Sequence, residues 1–296
     1  VSFEQFFQYF LAGITSGSIY AIIAIGFNII YNTTGIINFA QGEFLILGGM
    51  IGVSLSTLLP LPAAILGAVL ITTAVGALID FLFIRWLSRP SILRLVVITI
   101  GVSILIRESM LQIWDEKVRA LPYFTGTEVS SLRLFGAHIS PQVLWVLGIS
   151  AVIVVALHLF FRFTLVGRAM RACSDNRTAA RLCGIRAKRM VTLSFMLSAA
   201  IGALAGCAIS PLTQTQYNMG APLAIKGFTV AILGGLGNST AAVLAGLMLG
   251  LLEAFSIAVL PLAYIDAVSI AVLLIILFFR PSGLFRSREA GALKEF

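Results

Sequence analysis

Residues 162–189 read RFTLVGRAMRACSDNRTAARLCGIRAKR. Eight of these residues are basic (Arg162, Arg168, Arg171, Arg177, Arg181, Arg186, Lys188 and Arg189), against the single acid Asp175. On both sides the chain changes character. Pro141–Phe163 and Met190–Thr213 are apolar runs, each long enough for the roughly 20 residues a helix needs to cross a bilayer core. A short, strongly basic connection between two such runs reads as a cytoplasmic loop of a polytopic membrane protein.

The same ruler, moved outward, finds further apolar segments at Phe6–Tyr31, Ile36–Leu59, Leu61–Trp86, Ser91–Trp114, Ala221–Leu236, Ser239–Leu260 and Tyr264–Arg280. Ala221–Leu236 is short and reads as a half-helix or re-entrant piece. The expected architecture is therefore an all-α transmembrane bundle of about eight or nine spans with broken helices, forming one domain over 1–296. Composition agrees: 59% of the 296 residues are hydrophobic and 11% are charged, where a soluble domain carries roughly 25% charge. The net charge of +8 is confined to the breaks between apolar runs. That distribution argues against a nucleic-acid partner, which would call for a compact basic surface with interleaved aromatics.

Orientation follows from the loops. Arg85, Arg89 and Arg94 mark a second basic break, and Arg280, Arg286, Arg288 and Lys294 mark a third, running into a cytoplasmic tail at 281–296. The connection Asp115–Ser140 mixes Asp115, Glu116 and Glu128 with Lys117, Arg119 and Arg133, and is expected outside. Alternation from these anchors puts the N-terminus outside and the C-terminus in the cytoplasm, provided the short segment Ala221–Leu236 crosses. The N-terminus shows no cleavable signal pattern, so the first run is read as a mature span.

Gly13/Gly17, Gly48/Gly52, Gly202/Gly206 and Gly246/Gly250 are small-xxx-small pairs, the spacing that lets helix backbones approach closely in lipid. Some such pairs arise by chance among 27 glycines. Cys173, Cys183 and Cys207 have no CxxC or metal-ligand spacing with His138 or His158 and read as reduced packing residues; neither a metal nor a cofactor is expected. No GxxxxGK[ST] loop occurs, so any ATPase must be a separate chain, and no HExxH or GxSxG suggests an enzyme.

Three regions carry functional signals. The first is Tyr31–Glu43, YNTTGIINFAQGE, where polar residues interrupt two apolar runs. Asn38, Gln41 and Glu43 are candidates for a translocation path, with Glu43 equally readable as a first-turn acid favoured by the helix dipole. The second is Lys226–Glu253, KGFTVAILGGLGNSTAAVLAGLMLGLLE, where Thr229, Asn238 and Glu253 are candidates around a glycine-rich break. Broken helices at matching places in two halves point to a transporter's binding region, and Gly35-x-x-Asn38 matches Gly235-x-x-Asn238, so the two breaks are expected to lie near each other. The remaining membrane-placed acids, Asp80 and Glu108, lie near helix ends beside Arg85 and Arg107, where simple pairing or snorkelling accounts for them.

The third region is the basic loop. Ser174–Gly184 is expected to form one short helix, capped by Ser174 or Asp175 and ended by Gly184. Ala179, Leu182 and Cys183 share one face, and Arg177 and Arg181 another. Such a helix needs a cover, from lipid or from a cytoplasmic partner.

Thr178-Ala179-Ala180-Arg181-Leu182-Cys183-Gly184 resembles the EAA-x-x-x-G loop of ATP-binding-cassette (ABC) importer permeases, with Thr178 where Glu is usual. GRAMRA (167–172), INFAQGE (37–43) and FTVAILGGLGNSTAAVLAG (228–246) resemble the branched-chain amino-acid permeases, a family related to urea and amide importers. Gln41 stands where the family more often has His, so no proton relay is assigned there. The resemblance implies a permease subunit in a bacterial inner membrane that moves branched-chain or related amino acids inward. It implies a second homologous permease, two ATP-binding subunits and an extracytoplasmic solute-binding protein as partners. It also implies that Arg177, Thr178, Ala179, Ala180, Arg181 and Gly184 couple the permease to the ATPase. The alternative is a self-contained ion-coupled secondary transporter of small amino acids or amides.

Overall fold

A computed structural model describes residues 3–86, 92–127, 129–134, 137–261, 264–280 and 283–284. Arg89, Glu128, Arg286, Arg288 and Lys294 lie outside the described residues, as does all of the tail but 283–284. Among the described residues the helices are α1 (Phe3–Thr34), α2 (Gln41–Ser56), α3 (Leu61–Ile79), α4 (Ile92–Trp114), α5 (Pro141–Phe163), α6 (Leu165–Asp175), α7 (Arg177–Leu182), α8 (Ala187–Thr213), α9 (Gly220–Gly234), α10 (Ser239–Ser256) and α11 (Ile265–Phe279). A π-helical turn, Asp80–Ile84, extends α3. A small hairpin pairs β1 (Leu132–Leu134) with β2 (Ala137–Ile139) in the connection between α4 and α5.

Each apolar segment in the sequence is a helix, and the whole is a helical membrane bundle. Six helices are long and apolar enough to cross a membrane: α1, α3 with its π turn, α4, α5, α8 and α10. The other three, α2, α9 and α11, have 16, 15 and 15 residues. At 1.5 Å per residue these reach about 24 Å, short of a hydrocarbon core of about 30 Å. Ala221–Leu236 is thus a short helix, as expected. Ile36–Leu59 is short as well, because its first residues are spent in a non-helical approach and α2 begins only at Gln41. Gln41 lies against Gly26 of α1, eight residues and about 12 Å before that helix ends, so α2 starts inside the bundle.

Of the six long helices, α1 and α8 are the most enclosed and form its centre. From Ser18 to Ile30 every residue of α1 is buried. In lipid such burial needs close backbone approach rather than a hydrophobic drive, and all four small-xxx-small pairs supply it. On the α1–α10 seam a Cβ on Gly17 would come 2.7 Å from the Gly246 carbonyl, and one on Gly246 would come 2.7 Å from the Gly17 carbonyl. Gly13 and Gly250 abut one turn further along. On the α2–α8 seam, Gly48 lies against Ala203 and Gly206 against the Leu45 carbonyl, with Gly202 and Gly52 contacting Phe44 and Cys207.

Two ends of the bundle are distinguishable. At one, Arg119 pairs with Thr215 in an isolated bridge, Gln216 donates to the Glu116 carbonyl, and Phe6 and Tyr9 of α1 meet Phe255 of α10. At the other lie the end of α1, the π turn, α7, the start of α8 and the α9–α10 break. The positions on which the sequence placed its basic breaks, Arg85 and the 162–189 loop, share this second end.

Candidate translocation and coupling sites

The two glycine–asparagine breaks are alike for a local stereochemical reason. Gly35 (φ +74) and Gly235 (φ +92) each follow a helix end with a positive φ, which costs glycine little. The asparagine three residues later then turns the chain into the next helix. Asn38 Oδ1 accepts from the Ala40 amide at 3.2 Å, and Asn238 Oδ1 accepts from the Ala241 amide at 3.0 Å, capping α10. Both breaks pack on the end of α1, on different faces. Asn28 Oδ1 accepts from the Gly237 amide at 3.0 Å, and Asn32 Nδ2 donates to its carbonyl at 2.9 Å, so α1 clasps the second break. Asn38 sits instead among Ile30, Thr34, Thr99 and Phe195. Residues 28 and 30 are separated by about 200° around a helix, so α1 stands between the breaks.

The path candidates divide by whether their polar atoms are satisfied. Gln41 is buried and takes the Ser198 hydroxyl, which also donates to the Gly26 carbonyl at 3.0 Å. Thr229 is buried and donates to the Ile225 carbonyl of its own helix at 2.9 Å. Asn238 is exposed and occupied as a cap. Glu43 differs. It is fully buried, receives the Ser103 hydroxyl at 3.0 Å on Oε1, and leaves Oε2 without a partner; Asn38 Nδ2 is likewise buried and unpartnered. Glu43 occupies the first turn of α2, where the helix dipole favours an anion, and its carboxylate lies against Gly220 at the start of α9.

Glu253 belongs to a charged cluster inside the bundle. Lys226 of α9 lies 3.3 Å from its Oε1 and 2.9 Å from Asp266 of α11. Tyr20 donates to Glu253 Oε2 at 2.7 Å, and Ser269 donates to Oε1. The sequence reading picked out Glu253 alone; a lysine inside the apolar run 221–236 was the available signal for the rest. Asp80 and Arg85 make no direct ion pair among the described residues: Asp80 accepts the Thr192 hydroxyl at 2.5 Å, with Arg85 close enough to act on it through its charge. Glu108 does lie by Arg107, at 3.9 Å.

The basic loop holds two helices rather than one over Ser174–Gly184. Thr164 caps α6 by accepting from the Gly167 amide at 2.9 Å. Asn176 breaks the chain and caps α7, accepting from the Thr178 and Ala179 amides at 3.0 and 2.9 Å. The cap is therefore Asn176, neither Ser174 nor Asp175. Gly184 (φ +82) ends α7 as expected. Ala180 is buried against Cys173 and Ala187, which fixes α7 to α6 and α8. Ala179, Leu182, Cys183 and Gly184 face outward, with Leu182 85% exposed. Cys183 is thus a surface thiol and not a packing residue, whereas burial pushes the Cys173 thiol up from its ordinary range.

Arg177 and Arg181 do not continue that outward face. With Arg85 and Lys188 they line a cavity of about 200 Å³ whose other walls include Thr34, Asp80 and Val191. Among the described residues no group of three His, Cys, Asp or Glu side chains is arranged to hold a metal.

The family model for the branched-chain amino acid transport system / permease component matches residues 9–277. The chain belongs to this permease family. It is 35% identical to the high-affinity branched-chain amino acid transport system permease protein LivH of Salmonella typhimurium, with 97% of each chain covered. It is 34% identical to LivH of Escherichia coli (strain K12), again over 97% of each, and 32% identical to BraD of Pseudomonas aeruginosa over 96% and 97%. Among solved structures, a metal-chelate type ABC transporter in an inward-facing conformation aligns with a TM-score of 0.50 at 19% identity, over 93% of this chain and 87% of that one; this likeness concerns the fold alone. Family membership and the apolar helices make the permease a multi-pass membrane protein.

Proposed function

We propose that this permease is the membrane subunit of an ABC importer for branched-chain amino acids, working by alternating access and powered by separate ATP-binding subunits. Its partners are two such subunits, a second homologous permease and an extracytoplasmic solute-binding protein. The N-terminus and the 115–140 connection lie outside; α6, α7 and the C-terminus lie in the cytoplasm of a bacterial inner membrane. The observation that carries this reading is α7. The helix is pinned from behind by Ala180 and presents Ala179, Leu182, Cys183 and Gly184 outward with nothing covering them. An exposed apolar face on a charged loop offers a partner a surface to bury, and the small side chains admit close approach.

Within the membrane, Asn38 and Glu43 face the translocation path, because a buried polar atom without a partner costs about 1–3 kcal/mol unless function retains it. Gln41, Thr229, Asn238 and Glu253 brace the walls, their hydrogen-bonding capacity being engaged inside the subunit. The test is reconstitution of the permease with its co-purifying ATP-binding subunits and solute-binding protein. Uptake of radiolabelled leucine, isoleucine or valine that requires ATP supports the proposal. Uptake by the permease alone, driven by an imposed ion gradient, would replace it with a secondary transporter.

A further inference from the structure

We propose that the cavity enclosed by the end of α1, the π turn, α7 and the start of α8 binds a phosphate-bearing anion. The cavity holds about 200 Å³, enough for a phosphate with part of whatever carries it. Four cationic side chains line it from three separate elements: Arg85 after the π turn, Arg177 and Arg181 on α7, and Lys188 on α8. The one acid in the wall, Asp80, is buried and takes the Thr192 hydroxyl. Among the described residues no carboxylate lies within ion-pair distance of any of the four cations.

Convergence of this kind is costly unless an anion offsets it, since like charges brought together at a low-dielectric boundary repel. Elsewhere in the same protein a buried cation is fully paired, as Lys226 is with Glu253 and Asp266. Here the Arg177 Nε is buried with no hydrogen-bond partner, and Asp80 is the one opposing charge that the wall offers to Arg85 and Arg177. Two further features give the sign and the chemistry. The N-terminus of α8, which carries no side-chain cap, turns the positive end of its helix dipole to the side where Lys188 stands. Guanidinium forks match the oxygens of a phosphate in a way that a single carboxylate cannot exploit. A branched-chain amino acid, a zwitterion with no net charge, leaves the excess of positive charge unmatched.

The phosphate can come from an anionic lipid headgroup or from a soluble phosphate. Ile36, Ile84, Leu95 and Val191 form apolar walls behind the cations, which would suit the glycerol end of a lipid.

The experiment follows the thermal unfolding of the full-length permease in detergent, titrated with phosphatidylglycerol, with phosphatidylcholine and with inorganic pyrophosphate. Phosphatidylglycerol should stabilise and phosphatidylcholine should not. In an Arg177→Gln/Lys188→Gln variant the half-saturating concentration should rise about tenfold or more, as for loss of charge-assisted hydrogen bonds. Arg168→Gln, on the exposed face of α6, should leave it unchanged. Arg181→Gln, at an exposed position on the cavity wall, serves if the double variant melts early without ligand. Pyrophosphate stabilisation lost in the same variants would also support the site and assign it to a soluble ligand. Three results would overturn the proposal: anionic-lipid affinity unaltered by the variants, stabilisation by neither phosphate probe, or stabilisation by leucine alone. Loss of a co-purifying protein from the double variant, with phosphate response intact, would give the arginines to a protein contact and also overturn it.

Discussion

Lys226 on α9 holds its ammonium 3.3 Å from the Glu253 carboxylate on α10, with the two side chains only 14% and 5% exposed. Tyr20 and Ser269 complete the carboxylate's shell from α1 and α11, so one ion pair ties four helices. Removing one partner strands the other in a low-dielectric setting, which costs about 3–5 kcal/mol, whereas replacing both by apolar groups is often neutral. Lys226→Met and Glu253→Leu should each lower the melting temperature of the purified permease sharply, and the double variant should recover most of the loss. Asp266, 73% exposed, contributes little by comparison, and Asp266→Asn should shift melting by less than about 1 kcal/mol.

The glycine seams give a contrast that separates packing from propensity. A side chain at Gly250 would collide with the backbone of Gly13 and Gly17, while one at Gly101 or Gly148 would meet nothing within 4 Å. Gly250→Val should therefore destabilise by about 1–3 kcal/mol or abolish accumulation. Gly148→Ala should be neutral or stabilising by up to about 1 kcal/mol, the helix preference of alanine. Melting of the two variants side by side checks this.

The three thiols should differ in reactivity. Cys183 is exposed, whereas Cys173 and Cys207 are buried. Cys173 lies in the loop helix α6, where burial raises its pKa above the ordinary thiol value and outweighs the opposing effect of Arg177 and Arg181. It therefore stays protonated, and unreactive, at neutral pH. A maleimide at pH 7 should label Cys183 alone, detected by mass spectrometry. An impermeant maleimide should reach it in inverted vesicles and not in intact cells; the reverse would contradict the proposed orientation.

Gly184 should be sensitive to backbone conformation and not to volume close by. Its φ is +82 and a Cβ there would meet nothing within 4 Å. Asn tolerates the left-handed region and β-branched residues do not. Gly184→Asn should retain leucine uptake, and Gly184→Val should lose it while the protein accumulates normally. Gly184→Trp, which also obstructs a partner, should uncouple ATP hydrolysis from uptake in the assembled complex. Normal transport by Gly184→Trp, with its ATPase bound, would remove α7 from the coupling role.

Glu43 tests the path. Glu43→Gln keeps an acceptor for Ser103 at 3.0 Å and turns the unpartnered second oxygen into an amide donor, so it should lower uptake several-fold with little change in melting temperature. Gln41→Ala should do the opposite, lowering stability by breaking the contacts to Ser198.

Much of this architecture was legible in the sequence. The helices were readable because each bilayer crossing must satisfy its own backbone hydrogen bonds and hide behind apolar side chains, a local requirement. The ends of the helices were readable where glycine must take a positive φ, as at Gly35, Gly184 and Gly235. The break at Asn176 was missed because a cap is decided by which of several adjacent polar residues, Ser174, Asp175 or Asn176, the chain can afford to leave extended.

The sequence by itself determined that the chain is a helical membrane protein, where its basic loop lies and which family motifs it carries, since hydropathy and spacing are properties of neighbours along the chain. Only the tertiary structure decided that four glycine pairs serve two seams, that Lys226 answers Glu253, and that Arg177 and Arg181 turn toward Arg85 and Lys188. The same holds for the unequal fates of Gln41 and Glu43, two residues apart on one helix. Those relations join residues as far apart as Gly13 and Gly250, and whether a buried charge finds a partner depends on how helices cross, which no local pattern encodes.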